Sequence, residues 1–301
     1  MLDLAGVVTL IRWAFFGSLG LLLLLALTRN KTTKARVGWS LGVIAVFASV
    51  AGAMNYKMRL SHQRAMEEAR RNGLPATPEE YKARHEAVKA LFDERCKLAG
   101  QKIYNSVSNV EGVLLLNVRA EYETSNDANS NWPDAGLPNE YGGENYIANF
   151  LMWEHHEDKR SPRGYLNQSP SELPGYRYVD AKDAEGVMWR YTLRKEGEAG
   201  YPRLAKVELK GAPARYAVSF VNLIDSEDRK MWVAGTTVNV VDTQTSEVLA
   251  QATWYSFEPG QGSTASYRQP WRFARSCPEL RGGQERAPTR FFVDQVLKPR
   301  R

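Results

Sequence analysis

Two long apolar runs, separated by a short loop whose charges are all positive, constrain this chain more than any other feature. Between Leu4 and Leu27 the only charged residue is Arg12, and Val37 to Met54 carries no charge. About 20 apolar residues cross a bilayer core of roughly 30 Å, so both runs reach the length of a membrane span, the second only just. A cleaved signal peptide places cations ahead of its apolar stretch. Here the N-terminus reads Met-Leu-Asp-Leu and the cations follow the run. The pattern therefore predicts two uncleaved transmembrane helices forming a hairpin over residues 1–54. Gly38, Gly42, Ser49 and Gly52 recur at near-helical spacing in the second run, which suits either close helix packing or the ordinary small-residue content of a span.

Sidedness follows from the loop. Arg29, Lys31, Lys34 and Arg36 stand there with no acid among them, and cytoplasmic loops are the ones enriched in Lys and Arg. Lys57, Arg59, Arg64, Arg70 and Arg71 after the second run argue the other way, but Glu67 and Glu68 lie among them. The undiluted loop charge decides: loop cytoplasmic, both chain ends periplasmic.

The net charge of +6 invites a nucleic-acid reading, so its distribution matters. Residues 1–54 carry five Lys/Arg and one acid, residues 268–301 nine and three, and the segment between them 26 and 30. The folded middle is thus slightly acidic. A phosphate-tracking surface needs a cationic stripe interleaved with exposed aromatics, and none is visible. With 43% hydrophobic residues in 301, the chain can bury a substantial core.

Residues 55–77 read as a juxtamembrane helix and linker, ending at Asn72-Gly73. Thr77, Pro78, Glu79 and Glu80 then form a helix start. The helix is expected to run to about Gly100, with His85, Val88, Phe92, Cys96, Ala99 and Ile103 on one face. Strand signals follow at 112–118, 176–180, 187–195, 203–210, 215–224, 231–242 and 247–257, the last two joined as a hairpin through Thr243 to Ser246. The polar stretch 123–143 reads as a long surface loop, and Ile147, Phe150 and Leu151 share a helical face after it. Residues 78–301 are therefore expected to form an α+β domain, a long helix packed on a mostly antiparallel β-sheet. At the end, Thr289 reads as the cap of a short docked helix with Phe292, Val293, Val296 and Leu297 inward, followed by a frayed Lys-Pro-Arg-Arg end.

Chemistry is sparse. In Glu-His-His-Glu-Asp, 154–158, His155 and His156 point about 100° apart on a helix and do not share a metal as i, i+4 pairs do. His62 and His85 lack such partners, and the run reads as a solvated helix end. Residues 259–266 space glycines like part of a phosphate loop but lack its Gly-Lys-Ser/Thr, and Ser263 lacks a nucleophile elbow. Arg12 near a span end suits a snorkelling role. Trp189, Trp232, Trp254 and Trp271, with Tyr191, Tyr216 and Tyr255, are candidates for a glycan or peptide groove. Alternation in strands also fits core and cross-strand pairs. No catalytic, metal or cofactor residue is expected. Cys96 on the helix face and Cys277 in an irregular stretch are an even pair in distant segments, as a single staple in an oxidising compartment would be. The alternative is two buried thiols.

The layout of a membrane hairpin followed by a sheet resembles the membrane effectors of bacterial antiphage signalling, in which a cytosolic β-rich domain senses a nucleotide and controls two membrane helices. Three functions are therefore compared. The first is a non-enzymatic bacterial inner-membrane protein whose periplasmic domain binds another envelope protein of a secretion, conjugation or exclusion apparatus. It needs the bilayer and no nucleic acid, and admits a homo-oligomer. The second is the cytosolic sensor implied by the resemblance. The third is an envelope hydrolase or glycan-binding protein.

Overall fold

The computed structural model describes residues 4–29, 31–71, 73–121, 132–156, 164–194, 203–263, 269–280 and 282–301. The chain divides into two compact units, residues 1–77 and 78–301.

The first unit is two helices, α1 (Leu4–Arg29) and α2 (Thr33–Arg71). Helix α2 starts in the basic loop, traverses the uncharged run and continues unbroken into the charged segment, because nothing there breaks a helix: good formers, no proline. It stops at Gly73, whose φ of +66° favours glycine. Gly73 N–H donates to Arg70 O at 3.1 Å and Leu74 N–H to Ala69 O at 2.8 Å, the Schellman pattern that satisfies the last carbonyls. The helices meet through Phe15 and Phe47, ring centroids 4.9 Å apart, and no described residue of α2 is buried. Among the described residues one helix, Thr33–Arg71, is long and apolar enough to cross a membrane; the apolar stretch Phe15–Arg29 of α1 is shorter. The two spans expected from sequence thus reduce to one candidate. The side chain of Arg12 lies outside the described residues.

The second unit is mixed α and β. Helix α3 (Pro78–Cys96) buries Val88 and Phe92. It ends a turn earlier than expected: Lys97, Leu98 and Ala99 N–H groups bond three residues back, to Glu94, Arg95 and Cys96 carbonyls, a tightening common at helix ends. The chain then enters β1 (Gly100–Ile103), so Ile103 is a strand residue and not part of the helical face. Next come β2 (Val107–Val110), β3 (Gly112–Leu115), α4 (Gly143–Leu151), β4 (Trp153–His155), β5 (Tyr165–Asn167), β6 (Tyr178–Lys182), β7 (Met188–Arg194), β8 (Arg203–Glu208), β9 (Tyr216–Leu223), α5 (Ser226–Lys230), β10 (Val233–Asp242), β11 (Glu247–Phe257), β12 (Arg275–Cys277), α6 (Pro288–Val296) and β13 (Leu297–Pro299).

Nine strands form one sheet in the order β1-β11-β10-β9-β3-β6-β7-β8, with β12 also beside β11. All its pairs are antiparallel except those of β3, which runs parallel to β6 and β9. Strand β3 is buried along its whole length, as a central strand covered on both faces must be, and its apolar Val-Leu-Leu run fits that position. Returning parallel as β6 requires a crossover, and α4, β4 and β5 lie between the two strands in the chain.

Alternation along β10 assigns the faces. Val238 and Val240 join Ile147, Phe150, Phe292 and Val293 in the main core under α4 and α6. Val233, with Tyr255 and Phe257, packs on Val88 and Phe92 of α3 on the opposite face. The described part of the 123–143 stretch is no surface loop: Ala135 and Leu137 are 0% and 1% exposed. Residues 122–131 lie outside the described residues.

The tail also departs from expectation. Thr289 is not a cap; Pro288 opens α6 after Ala287, and Thr289 is buried inside the helix. No frayed end follows, because β13 pairs in parallel with β2 and Arg300 N–H donates to Val110 O at 3.0 Å. Deleting residues 298–301 is therefore expected to lower stability by about 1–2 kcal/mol, one backbone hydrogen bond plus exposed ion pairing. Urea unfolding of the truncated chain against the full chain measures it, and an unchanged midpoint would show the tail to be energetically idle.

Candidate functional site

The four tryptophans picked out as a groove do not line one surface. Trp254 is buried against Phe292, ring centroids 5.9 Å apart, in the main core. Trp232 and Trp271 pack on each other at 5.3 Å in a separate buried cluster with Ala135 and Ala234. Trp189 is half-buried on β7, its indole N–H donating to Asp183 at 2.6 Å and its ring 4.7 Å from the Lys206 ammonium. Burial explains the outcome: both faces of the sheet are covered where Trp254 and Trp232 sit.

The Glu-His-His stretch is not a solvated helix end either. Helix α4 stops at Leu151, and Glu154 and His155 belong to β4. Glu154, buried, accepts the Gly164 N–H at 3.0 Å and faces His156 at 3.3 Å. Among the described residues no group of three His, Cys, Asp or Glu side chains is placed to hold a metal ion; Glu157 and Asp158 lie outside the described residues. So does Thr264 to Arg268, which includes the end of the glycine-spaced stretch. Its described part is a turn built around buried Glu258, which accepts the N–H groups of Gly260 and Gly262 at 2.8 and 2.9 Å.

A different surface is built as a site. An open cleft of about 520 Å³ is lined by Leu151, Tyr176 and Leu193, by Trp153, Pro170 and Pro174, and by Arg177, Arg300 and Glu172. Its apolar base is pinned. Tyr176 N–H donates to Phe150 O at 2.8 Å and its hydroxyl to Leu297 O at 2.5 Å, tying it to α4 and β13 at once. The segment leading to it lies so close to the end of α4 that a Cβ at Gly175 would stand 2.4 Å from the Leu151 carbonyl carbon; only glycine fits that approach. Arg177 and Arg300 are held from the main chain, through Arg177 N–H to Glu111 O at 2.7 Å and Arg300 N–H to Val110 O at 3.0 Å. Both guanidinium groups donate to one carboxylate oxygen, Glu111 Oε1. Residues from five parts of the sequence converge here, none of them singled out in sequence except Leu151. Arginines in an exposed position read as ordinary surface charge until the fold shows what they share.

The domain also holds a buried ionic network. Arg119, 1% exposed, donates through Nε to Glu140, and through its other nitrogens to Asp134 at 3.3 Å and Thr236 at 3.4 Å. Its guanidinium also sits 4.2 Å from the Phe220 ring. Asn222 donates to Asp134 at 2.7 Å, and Thr289 donates its N–H and its hydroxyl to Glu140, each at 2.9 Å. Burial works to lower the Arg119 pKa, but Glu140, Tyr146 and Asp134 more than offset it, so the guanidinium stays charged with its pKa above the usual value. Burial, reinforced by Glu140, raises the Tyr146 pKa and keeps it a phenol. The network ties the 132–142 segment, the sheet and α6 together.

The domain is also stapled covalently. Cys96, at the end of α3, is disulfide-bonded to Cys277 on β12, 181 residues away, with Cα atoms 5.7 Å apart. Beside it Arg95 grips Asp228 with two bonds of 2.7 and 2.8 Å. Both cysteines being bonded, neither is a thiol nucleophile in this state. Comparison with protein-family models, with curated proteins and with solved structures finds no match to this chain.

Proposed function

We propose that this protein is a non-enzymatic, two-pass protein of a bacterial inner membrane, whose 78–301 domain lies in the periplasm and binds another envelope component. The observation that carries the reading is the Cys96–Cys277 disulfide. Structural disulfides persist in oxidising compartments and are rare in the bacterial cytosol. A stapled domain following a helix able to cross a membrane therefore belongs on the outer side of that membrane. Loop charge supports the same orientation: Arg29, Lys31, Lys34 and Arg36 would be cytoplasmic, α1 would be the first span, and the chain would return outward through α2. Binding is supported by the character of the cleft, whose described lining residues offer an apolar base, an aromatic wall and arginines.

The expected result is that alkaline phosphatase fused after Arg301 is active in a bacterial host, while a fluorescent protein that matures only in the cytosol is dark at the same position. The opposite pair of readings would remove the periplasmic assignment and leave the cytosol-facing sensor as the better account.

A further inference from the structure

We infer that the cleft between α4, the 168–177 segment and the C-terminal strand is the partner site, and that it takes an acidic, extended peptide segment carrying an apolar side chain. This rests on the binding role proposed above and names the chemistry of the partner. The base of the cleft, Leu151, Tyr176 and Leu193, is apolar and fixed by main-chain bonds, so an apolar side chain can be buried there without reorganising the site. Arg177 and Arg300 stand at its mouth, 59% and 52% exposed, with only Glu111 as a described carboxylate partner between them. Each guanidinium has five N–H donors, and each gives one to Glu111. With both side chains more than half exposed, a ligand carboxylate can take remaining donors in the forked geometry that arginine favours.

Glu172 adds a hydrogen-bond acceptor to the cleft. It is an exposed carboxylate in the lining, and its hydrogen bond from Ser171 lowers its pKa, keeping it charged. The N–H groups of an extended peptide can use it as an acceptor, and the apolar base of Leu151, Tyr176 and Leu193 takes an apolar side chain, which a phosphate lacks. Pro170 and Pro174 carry no N–H, so the loop they belong to has interruptions in the run of amide donors that phosphate sites use. The openness of the cleft suits a segment that passes through and continues.

The test uses the full chain in lipid nanodiscs and fluorescence polarisation of a rhodamine-labelled peptide alternating glutamate and leucine. A second peptide has glutamine in place of every glutamate. Saturable binding of the acidic peptide is expected, weakened about tenfold by either Arg177→Gln or Arg300→Gln, the scale of one lost charge-assisted hydrogen bond. Lys102→Gln, an exposed cation on β1, should leave binding unchanged. The glutamine peptide should bind at least about tenfold more weakly, and salt at about 0.5 M should weaken the acidic one. Three results would each overturn the assignment: no saturable binding at millimolar peptide, equal binding of the two peptides, or insensitivity to both arginine substitutions in chains whose far-ultraviolet circular dichroism is unchanged. Displacement by inorganic phosphate as effective as by unlabelled peptide would hand the arginines to a phosphate ligand and overturn it as well. The reporter fusions decide the compartment separately. Peptide binding with a cytosolic reporter keeps the cleft and removes the envelope partner, and the reverse combination keeps the address and removes the cleft.

Discussion

Replacing both Cys96 and Cys277 by serine is expected to lower the unfolding free energy of the domain by about 2–5 kcal/mol. The bond joins residues 181 apart in sequence, and in the chain-entropy account the denatured state gains most freedom when a long loop is released. Removing it also loosens the end of α3, where the neighbouring Arg95–Asp228 pair is left to hold the helix to α5. Urea unfolding followed by tryptophan fluorescence gives the difference, because Trp254 and Trp271 are buried and report loss of packing. Reduction of the unmodified chain should reproduce the shift. If the double variant unfolds at the same urea concentration as the parent, the staple contributes nothing to stability.

Arg119→Met is expected to cost about 3–5 kcal/mol, because it leaves Glu140 as a buried carboxylate without its cation. Domain stabilities are typically about 5–15 kcal/mol, so this one substitution is enough to bring the chain close to unfolding. The double variant Arg119→Met with Glu140→Gln should recover part of the loss, since it removes the stranded charge along with the cation. By contrast, Lys89→Met breaks the Lys89–Asp93 pair, both side chains more than half exposed, and should change stability by less than about 1 kcal/mol. Equal effects for the buried and the exposed pair would show that the network carries no special weight.

The elements legible in the sequence are those whose pattern is set by local burial. Strands β6 to β11 alternate or run apolar over five or more residues, and β10 and β11 are joined by a four-residue turn, so periodicity and turn chemistry suffice. Strands β1, β2, β4, β5, β12 and β13 span three or four residues each. A segment such as Val107-Ser108-Asn109-Val110 becomes a strand because Leu297 to Pro299 arrives beside it, and no local pattern encodes that partner. The parallel setting of β3 is of the same kind, since Gly112 to Leu115 shows only that the strand is buried. Arg119 escaped notice because a lone cation beside Val118 and Ala120 reads as solvated. Its partners Asp134, Glu140 and Thr236 lie 15 to 117 residues away. Trp232, Trp254 and Trp271 follow the core reading rather than the groove; alternation assigns a face but not whether that face is covered.

The strand pairing also sets a timetable for synthesis. Strand β1 waits for β11, and β2 waits for β13, whose Leu297 pairs with Val107 at the far end of the chain. Ribosomes add about 5–20 residues per second, so the first strands of the domain spend roughly 10–40 s without their neighbours. Contacts this distant in sequence also slow folding after the chain is complete. Until α6 and β13 emerge, the incomplete chain exposes the edge of β2 and lacks part of the helical cover of its core. A chain that cannot close its sheet early depends during that interval on whatever keeps unpaired strand edges from finding each other.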